Sequence, residues 1–181
     1  RGHRIRNCLD LGTGRGTFVI ALGLLFPEAR LVGTDLNEQA LQLARNNAAL
    51  NKIGTRFESR FGDVQEALHD GDKFDIVICG LPSTVVTPEM ARTTERHKFI
   101  ELNGGPDGRR NVNLVIRNIN PYMSMGGAIY FNHNSMIGVE KTLKLLRENG
   151  FEPRVIKRVQ QYPDQQKHTA ATISYVENTL G

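Results

Sequence analysis

The 181-residue chain has only two cysteines, Cys8 and Cys79, and no C-x-x-C pair. That excludes a disulfide framework and a cysteine metal centre, and both thiols stand inside strongly apolar segments where buried, free cysteine is expected in a reducing, cytoplasmic setting. No metal site is predicted. No apolar run approaches the roughly 20 residues needed to span a bilayer, so no membrane segment is expected. There is no internal repeat, no low-complexity tract and no signal or transit pattern. The chain begins at Arg1 rather than at a methionine, which predicts a piece processed or cut from a longer chain, with a possible upstream domain. A hydrophobic fraction of 39% and a charged fraction of 23% are ordinary for one globular domain, here taken as residues 1–181. The net charge of +4 is compatible with nucleic acid but does not require it.

The stretch Cys8-Leu9-Asp10-Leu11-Gly12-Thr13-Gly14-Arg15-Gly16 runs from an apolar strand into a glycine-rich turn before a helix. Such a turn brings backbone N–H groups close to a ligand, because no Cβ stands in the way. Ile5 to Leu11 reads as a strand and Thr17 to Phe26 as a helix ended by Pro27, with Phe18, Ile20, Ala21, Leu24 and Leu25 at helical spacing. Leu31 to Asp35 is a second strand that ends on an acid about twenty residues beyond the loop, the spacing at which a carboxylate reaches the ribose hydroxyls of a bound nucleotide. Asp35 otherwise serves as an acid at the start of the next helix.

That helix, Glu38 to Asn51, is capped near Asn37 and carries an apolar stripe of Ala40, Leu41, Ala44 and Ala48 with Leu43 and Leu50, read as core. Arg56 to Arg60 alternates as an outer strand would. The Phe61-Gly62-Asp63-Val64 turn then offers a carboxylate and a backbone N–H to an adenine, or simply caps a short helix over Val64 to Leu68. Phe74 to Cys79 is the clearest buried strand, and it delivers Gly80, Leu81, Pro82 and Ser83 toward the same crevice.

Residues 83–110 show little periodicity beyond a short helix between Pro88 and Ile100, and a connection this long predicts a lid over an acceptor, covering 80–110 in all. Its alternating charges with few aromatics suit a solvated lid better than a nucleic-acid surface. Helices are expected over Val112 to Met123 and Val139 to Asn149, with a turn at Gly126-Gly127 and a fifth strand from Ala128 to Phe131. Arg154 to Val159 and Thr169 to Val176 are two strands with no helix between them, so the last pair is predicted antiparallel. The fold class is α/β: a doubly wound, mostly parallel seven-stranded sheet with a C-terminal antiparallel hairpin.

The run LDLGTGRG, then VGTDLNEQALQLARNNAALN, the FGD turn, FDIVI before a proline, and IELNGGPDG resembles the release-factor glutamine methyltransferase family within the class I S-adenosylmethionine-dependent methyltransferases. The likeness spans nearly the whole chain. It implies S-adenosyl-L-methionine as cofactor, with Asp10, Gly12 and Gly14 at its methionyl part, Asp35 at the ribose hydroxyls, Asp63 with Val64 at the adenine, and Thr13, Gly16 and Leu36 also in the cofactor site. NAD is the other cofactor considered, but its G-x-G-x-x-G fingerprint would place a glycine where this chain has Thr17. The family carries Asn-Pro-Pro-Tyr after the fourth strand, and this chain reads Gly80-Leu81-Pro82-Ser83.

The resemblance therefore implies a methyltransferase whose acceptor has changed from a protein glutamine nitrogen, with Gly80, Leu81, Pro82 and Ser83 still at the reacting end and two backbone carbonyls left to accept hydrogen bonds. Two other readings remain: a catalytically silent cofactor-binding or interaction module, and an RNA or DNA amino-group methyltransferase. A protein or small-molecule acceptor is favoured over nucleic acid. His133, which follows the fifth strand, is the first candidate for a general base, with His97 and Asp107 behind it.

Overall fold

The computed structural model describes residues 4–158 and 171–177. Five strands run parallel in the order expected of two βαβ halves. They are β1 (Asn7–Leu11), β2 (Arg30–Asp35), β3 (Phe57–Phe61), β4 (Phe74–Cys79) and β5 (Met123–Asn134). Two more, β6 (Glu152–Arg158) and β7 (Ala171–Glu177), extend the sheet antiparallel beside β5, giving the spatial order β3-β2-β1-β4-β5-β7-β6. The residues expected to link the last two strands lie outside the described ones.

The sheet is covered on both faces, and β1 and β4 at its centre are buried at nearly every position. Leu9, Leu11, Val77 and Cys79 point to one face, against α6 (Arg110–Asn118) and α7 (Val139–Glu148). Cys8, Leu31 and Ile76 point to the other, against α1 (Thr17–Leu25) and α2 (Glu38–Leu50). Both cysteines are buried and free. Burial pushes the Cys8 thiol up to about 12 and the Cys79 thiol well above its usual range, so neither is a thiolate nucleophile.

Several sequence expectations need correction. Leu24 and Leu25 are exposed, and α1 instead buries Val19, Leu22 and Gly23. Gly23 decides the face: a Cβ there would come within 2.8 Å of Leu31 Cδ1, so the helix presses its smallest residue onto β2. In α2 the core face is Leu41, Ala44 and Ala48, while Leu43 and Leu50 are exposed. The fifth strand is twelve residues long, and the expected turn at Gly126-Gly127 is a bulge within it, where the register against β4 shifts between Phe74 and Ile76.

The helix expected over 88–100 is two, α4 (Pro88–Thr93) and α5 (Arg96–Leu102), broken where Thr94 and Glu95 adopt extended backbone. The helix expected to reach Met123 stops at Asn118, and Pro121 falls in a separate single turn over 120–122. α3 (Val64–Ala67) is one turn long. Among the described residues, no helix is long and apolar enough to cross a membrane.

Candidate methyl-donor and acceptor cleft

At the carboxyl ends of β1, β2 and β4 the chain opens a cleft of about 800 Å³. This is where open parallel sheets bind ligands, and the volume falls within the range of cofactor sites. One wall is the glycine loop. The N–H groups of Gly12 and Thr13 both donate to the Thr34 carbonyl, at 2.9 and 2.8 Å, which straps the loop to β2. Gly16 has φ +88°, and a Cβ on it would come within 3.3 Å of the Ala44 backbone, so loop and α2 meet without a side chain between them. Gly14, at φ +54°, faces open space in the cleft, leaving room for a ligand against its backbone.

Asp35 holds the loop from the other side. One carboxylate oxygen accepts from the Gly14 N–H at 2.8 Å, and the other accepts from the Asn37 N–H at 2.9 Å. Asp35 thus serves the turn into α2, as one of its two expected roles requires, and it also lines the cleft. Leu36 lines the cleft half-exposed. Asp63 also lines it, but one of its oxygens caps α3 by accepting from Gln65 and Glu66 N–H groups; Val64 beside it is buried and contributes an apolar surface.

Asp10 is placed differently from the expectation. Its side chain is fully buried beneath the loop and does not line the cleft. One oxygen accepts from the Thr13 hydroxyl at 2.8 Å, and the other accepts no hydrogen bond from the described residues. Burial pushes its carboxyl up to about 6, the Thr13 hydroxyl pulling the other way and the Asp35 charge adding to the rise. Asp10 therefore orients Thr13 and the loop from below.

Across the cleft, Gly80, Leu81 and Pro82 form the opposite wall, and the Gly80 N–H is tied to the Leu11 carbonyl at 3.3 Å. The Gly80 and Leu81 carbonyls accept no hydrogen bond from the described residues. Ser83 is turned away. It lines a small void behind Pro82 that it shares with His133.

The expectation that His133 points into the crevice is corrected. Ile129, Phe131 and His133 alternate onto the face of β5 covered by α6 and α7, and the His133 ring is 1% exposed with Nε2 2.8 Å from Thr142 Oγ1. Asp107 accepts from the Arg109 N–H and closes a turn rather than entering the cleft. The side chain of His97 lies outside the described residues. No histidine lines the cleft among the described residues, and none of their His, Cys, Asp and Glu side chains gather into a group that could hold a metal.

Sequence reasoning missed the residues that α5 and α6 bring to the rim. Phe99, Ile100, Glu101 and Asn103 come from the segment expected to cover the acceptor, and Arg110 and Asn111 from the start of α6. The segment is anchored by pairing of Thr84 with Asn103, by the Gly104 N–H donating to Thr84, and by the Val86 N–H donating to Gly105. Behind it, buried Arg109 donates to the Ile137 and Gly138 carbonyls, to Thr142 Oγ1 and to Asn113 Oδ1, which ties the start of α6 to the start of α7. The signal present in the sequence was the dense run from Asn103 to Asn111, whose polar and glycine residues have no helical or strand period to satisfy.

The arrangement fits a nucleoside with an extended polar tail. It offers an open glycine against which a ligand can lie, a carboxylate at a strand end, apolar Leu36, Ala40 and Val64 for a base, and, on the opposite wall, Gly80 and Leu81, whose carbonyls accept no hydrogen bond from the described residues. The family model described as a methyltransferase domain matches residues 3–170. The release factor glutamine methyltransferase of Synechocystis is 32% identical over 123 residues, covering 66% of this chain and 41% of that protein. The tRNA1(Val) (adenine(37)-N6)-methyltransferase of Porphyromonas gingivalis is 33% identical over 100 residues, covering 51% of this chain and 39% of that protein.

Among solved structures, the precorrin-6y C5,15-methyltransferase of Geobacter metallireducens aligns over 97% of this chain and 81% of its own, with a TM-score of 0.66 at 18% identity, a likeness of fold. The chain spans from 25% to 75% of the length of the first curated relatives it matches. With the glycine loop, the strand-end acids and the parallel sheet in place and 168 consecutive residues matched, the chain belongs to the methyltransferase domain family, of the class I, S-adenosylmethionine-dependent type.

Proposed function

We propose that this chain transfers a methyl group from S-adenosylmethionine to the nitrogen of a planar group bearing N–H, presented over Gly80 and Leu81 by a protein or a small molecule. The observation that carries the reading is the wall opposite the glycine loop: Gly80 and Leu81 line the cleft, and neither backbone carbonyl accepts a hydrogen bond from the described residues. Carbonyls can only accept, so the group they orient must donate. Relatives are named for such nitrogens, one for N5 of protein glutamine and one for N6 of a tRNA adenine.

The bound cofactor supplies an electrophilic methyl carbon, and the protein supplies position and electrostatics. In this reading Gly14 and Asp35 hold the donor, Leu36, Asp63 and Val64 surround its base, and Asp10 keeps Thr13 in place from below. Gly80, Leu81 and Pro82 face the reacting end. Ser83 and His133 lie behind Pro82 and shape the loop rather than move a proton. The nitrogen forms its bond to carbon as the carbon–sulfur bond breaks, and one proton leaves to solvent. Residues 80–110 act as the acceptor-side lid of a single domain, with the last two strands joined as a hairpin.

A second reading is favoured by one specific observation, the match to a tRNA adenine methyltransferase over half of the chain, together with the net charge of +4. Against it, the described cleft carries the carboxylates of Asp35, Asp63 and Glu101 beside only two guanidinium groups, Arg15 and Arg110. A transfer assay with methyl-labelled cofactor decides between them. Label should pass to glutamine-containing peptides or small primary amides, and Asp35→Ala should abolish it. Label passing only to tRNA, with steep salt dependence, would establish the second reading; tight cofactor binding without transfer to either class would leave a silent module.

A further inference from the structure

Asn111, at the second position of α6, carries a side-chain amide whose orientation the backbone dictates. Its Nδ2 lies 2.9 Å from the Pro82 carbonyl and 2.9 Å from the Asn103 carbonyl. Two carbonyl oxygens can be served only by an NH2 group, so the opposite assignment of the amide is excluded by chemistry. Both donors are thereby spent. Asn111 Oδ1 accepts nothing from the described residues, and Asn111 lines the cleft beside Leu81 and Pro82. The side chain thus serves two ends at once: its nitrogen joins the segment after β4 to the segment before α6, and its oxygen is left as an acceptor at the reacting end.

The geometry points to Asn111 as the residue that orients the acceptor, its Oδ1 taking one N–H of a primary carboxamide while the Leu81 carbonyl takes the other. This deepens the reading that the acceptor is a planar nitrogen and rests on it. Two acceptors on two N–H groups fix the amide plane, and fixing the plane aims the face of the nitrogen at the methyl carbon. Position 80 is a glycine and has no side chain to offer for this purpose. The Asn111 oxygen comes from a different element, 31 positions further along the chain, and its placement depends on Pro82 and Asn103 holding its nitrogen. A carboxamide with no N–H would find only acceptors facing it.

The test uses the whole chain saturated with S-adenosylhomocysteine, with N-acetylglutamine methylamide as the primary-amide probe and its side-chain N,N-dimethyl analogue as the control. Nuclear magnetic resonance reads the Asn111 side-chain NH2 signals and the probe affinity. The primary amide should shift the Asn111 signals and bind, the dimethyl analogue should bind at least about tenfold more weakly, and Asn111→Ser should lose that discrimination while its affinity for S-adenosylhomocysteine stays within about threefold.

Equal binding of the two probes, or discrimination that survives in Asn111→Ser, overturns the assignment of Asn111 while leaving the methyl-transfer reading standing. A primary amide that neither binds the S-adenosylhomocysteine complex nor gains a methyl group when the chain is supplied instead with S-adenosylmethionine overturns both. Adenosine shifting the Asn111 signals where the amide does not overturns the carboxamide. Should Asn111→Ser fail to fold, the comparison of the two probes on the wild-type chain still decides the matter.

Discussion

Replacing Asp10 by Asn tests the cleft from beneath. In the folded chain burial holds the Asp10 carboxyl near 6, against 3.8 as the ordinary value. A carboxyl whose folded pKa is raised binds its proton more tightly in the native state. Its contribution to stability is therefore complete below about pH 3.8 and is lost as the pH rises through 6. At about 1.4 kcal/mol per pH unit, a shift of about two units amounts to about 3 kcal/mol, of which about 2 kcal/mol falls between pH 4.5 and pH 8.

Asn is the same shape, and its carbonyl oxygen still accepts from the Thr13 hydroxyl, so Asp10→Asn removes the charge and keeps the bond. Urea unfolding of wild type and variant across that range is the assay. The variant should gain on the wild type by about 2 kcal/mol on going from pH 4.5 to pH 8, which at the melting temperature corresponds to a relative rise of roughly 4–8 °C for a domain of this size. Parallel pH profiles would refute the buried, proton-holding Asp10 and with it the claim that this residue supports the loop from below.

Asp35→Ala removes the acceptor of the Gly14 and Asn37 N–H groups and should weaken S-adenosylhomocysteine binding by about 10- to 100-fold in calorimetry, on the strength of charge-assisted bonds; an unchanged affinity would place the nucleoside elsewhere. Gly16→Ala adds a Cβ at φ +88° within 3.3 Å of Ala44 and should cost about 1–3 kcal/mol in denaturant unfolding, whereas Gly14→Ala, facing open space, should cost less stability but impair cofactor binding. Arg109→Met leaves the Ile137 carbonyl and Thr142 without their shared donor and should lower stability by about 2–4 kcal/mol, read by thermal unfolding.

Asp72 is salt-bridged to Arg60 and accepts from the His69 N–H, and its carboxyl is held below the usual range by those hydrogen bonds against the opposing pull of burial. Its stabilisation is present above about pH 4 and lost as the pH falls through the lowered value. Asp72→Asn should flatten the acid limb of the stability curve, and an unaltered limb would contradict the pairing.

The position of Asp35 was legible because it depends on spacing: a strand, a glycine turn, a helix and a second strand put an acid beside the loop whatever the details of packing. Val64, Gly14 and the end of β4 were legible for the same reason. The inward faces of α1 and α2 were not. Leu24, Leu25, Leu43 and Leu50 are as apolar as the residues that won, but Gly23 and Ala44 allow closer approach to β2 and to the loop, and close approach is a property of two surfaces together.

His133 illustrates a two-residue alternation read one step short, since a strand of twelve residues rather than four carries its last side chains onto the helix-covered face. Asn111 was invisible to motif reading because its amide acquires direction only when Pro82 and Asn103, from two separate segments, converge on one nitrogen. The glycine-rich run from Gly104 to Gly108 is part of that convergence. A Cβ on Gly108 would fall 2.5 Å from the Ser83 carbonyl oxygen, so the turn and the strand-four loop fit only because the side chain is absent.

The central claim is that the cleft between the glycine loop and Gly80-Leu81 holds the methyl donor with its reacting end at Gly80 and Leu81. A structure of the chain with S-adenosylhomocysteine tests it most directly. The account predicts ribose hydroxyls on Asp35, the base between Leu36 and Val64, and the sulfur directed toward Leu81, with open space between it and Asn111. A nucleoside bound elsewhere, or a sulfur walled off from Gly80 and Leu81 by the α5 segment, would contradict it.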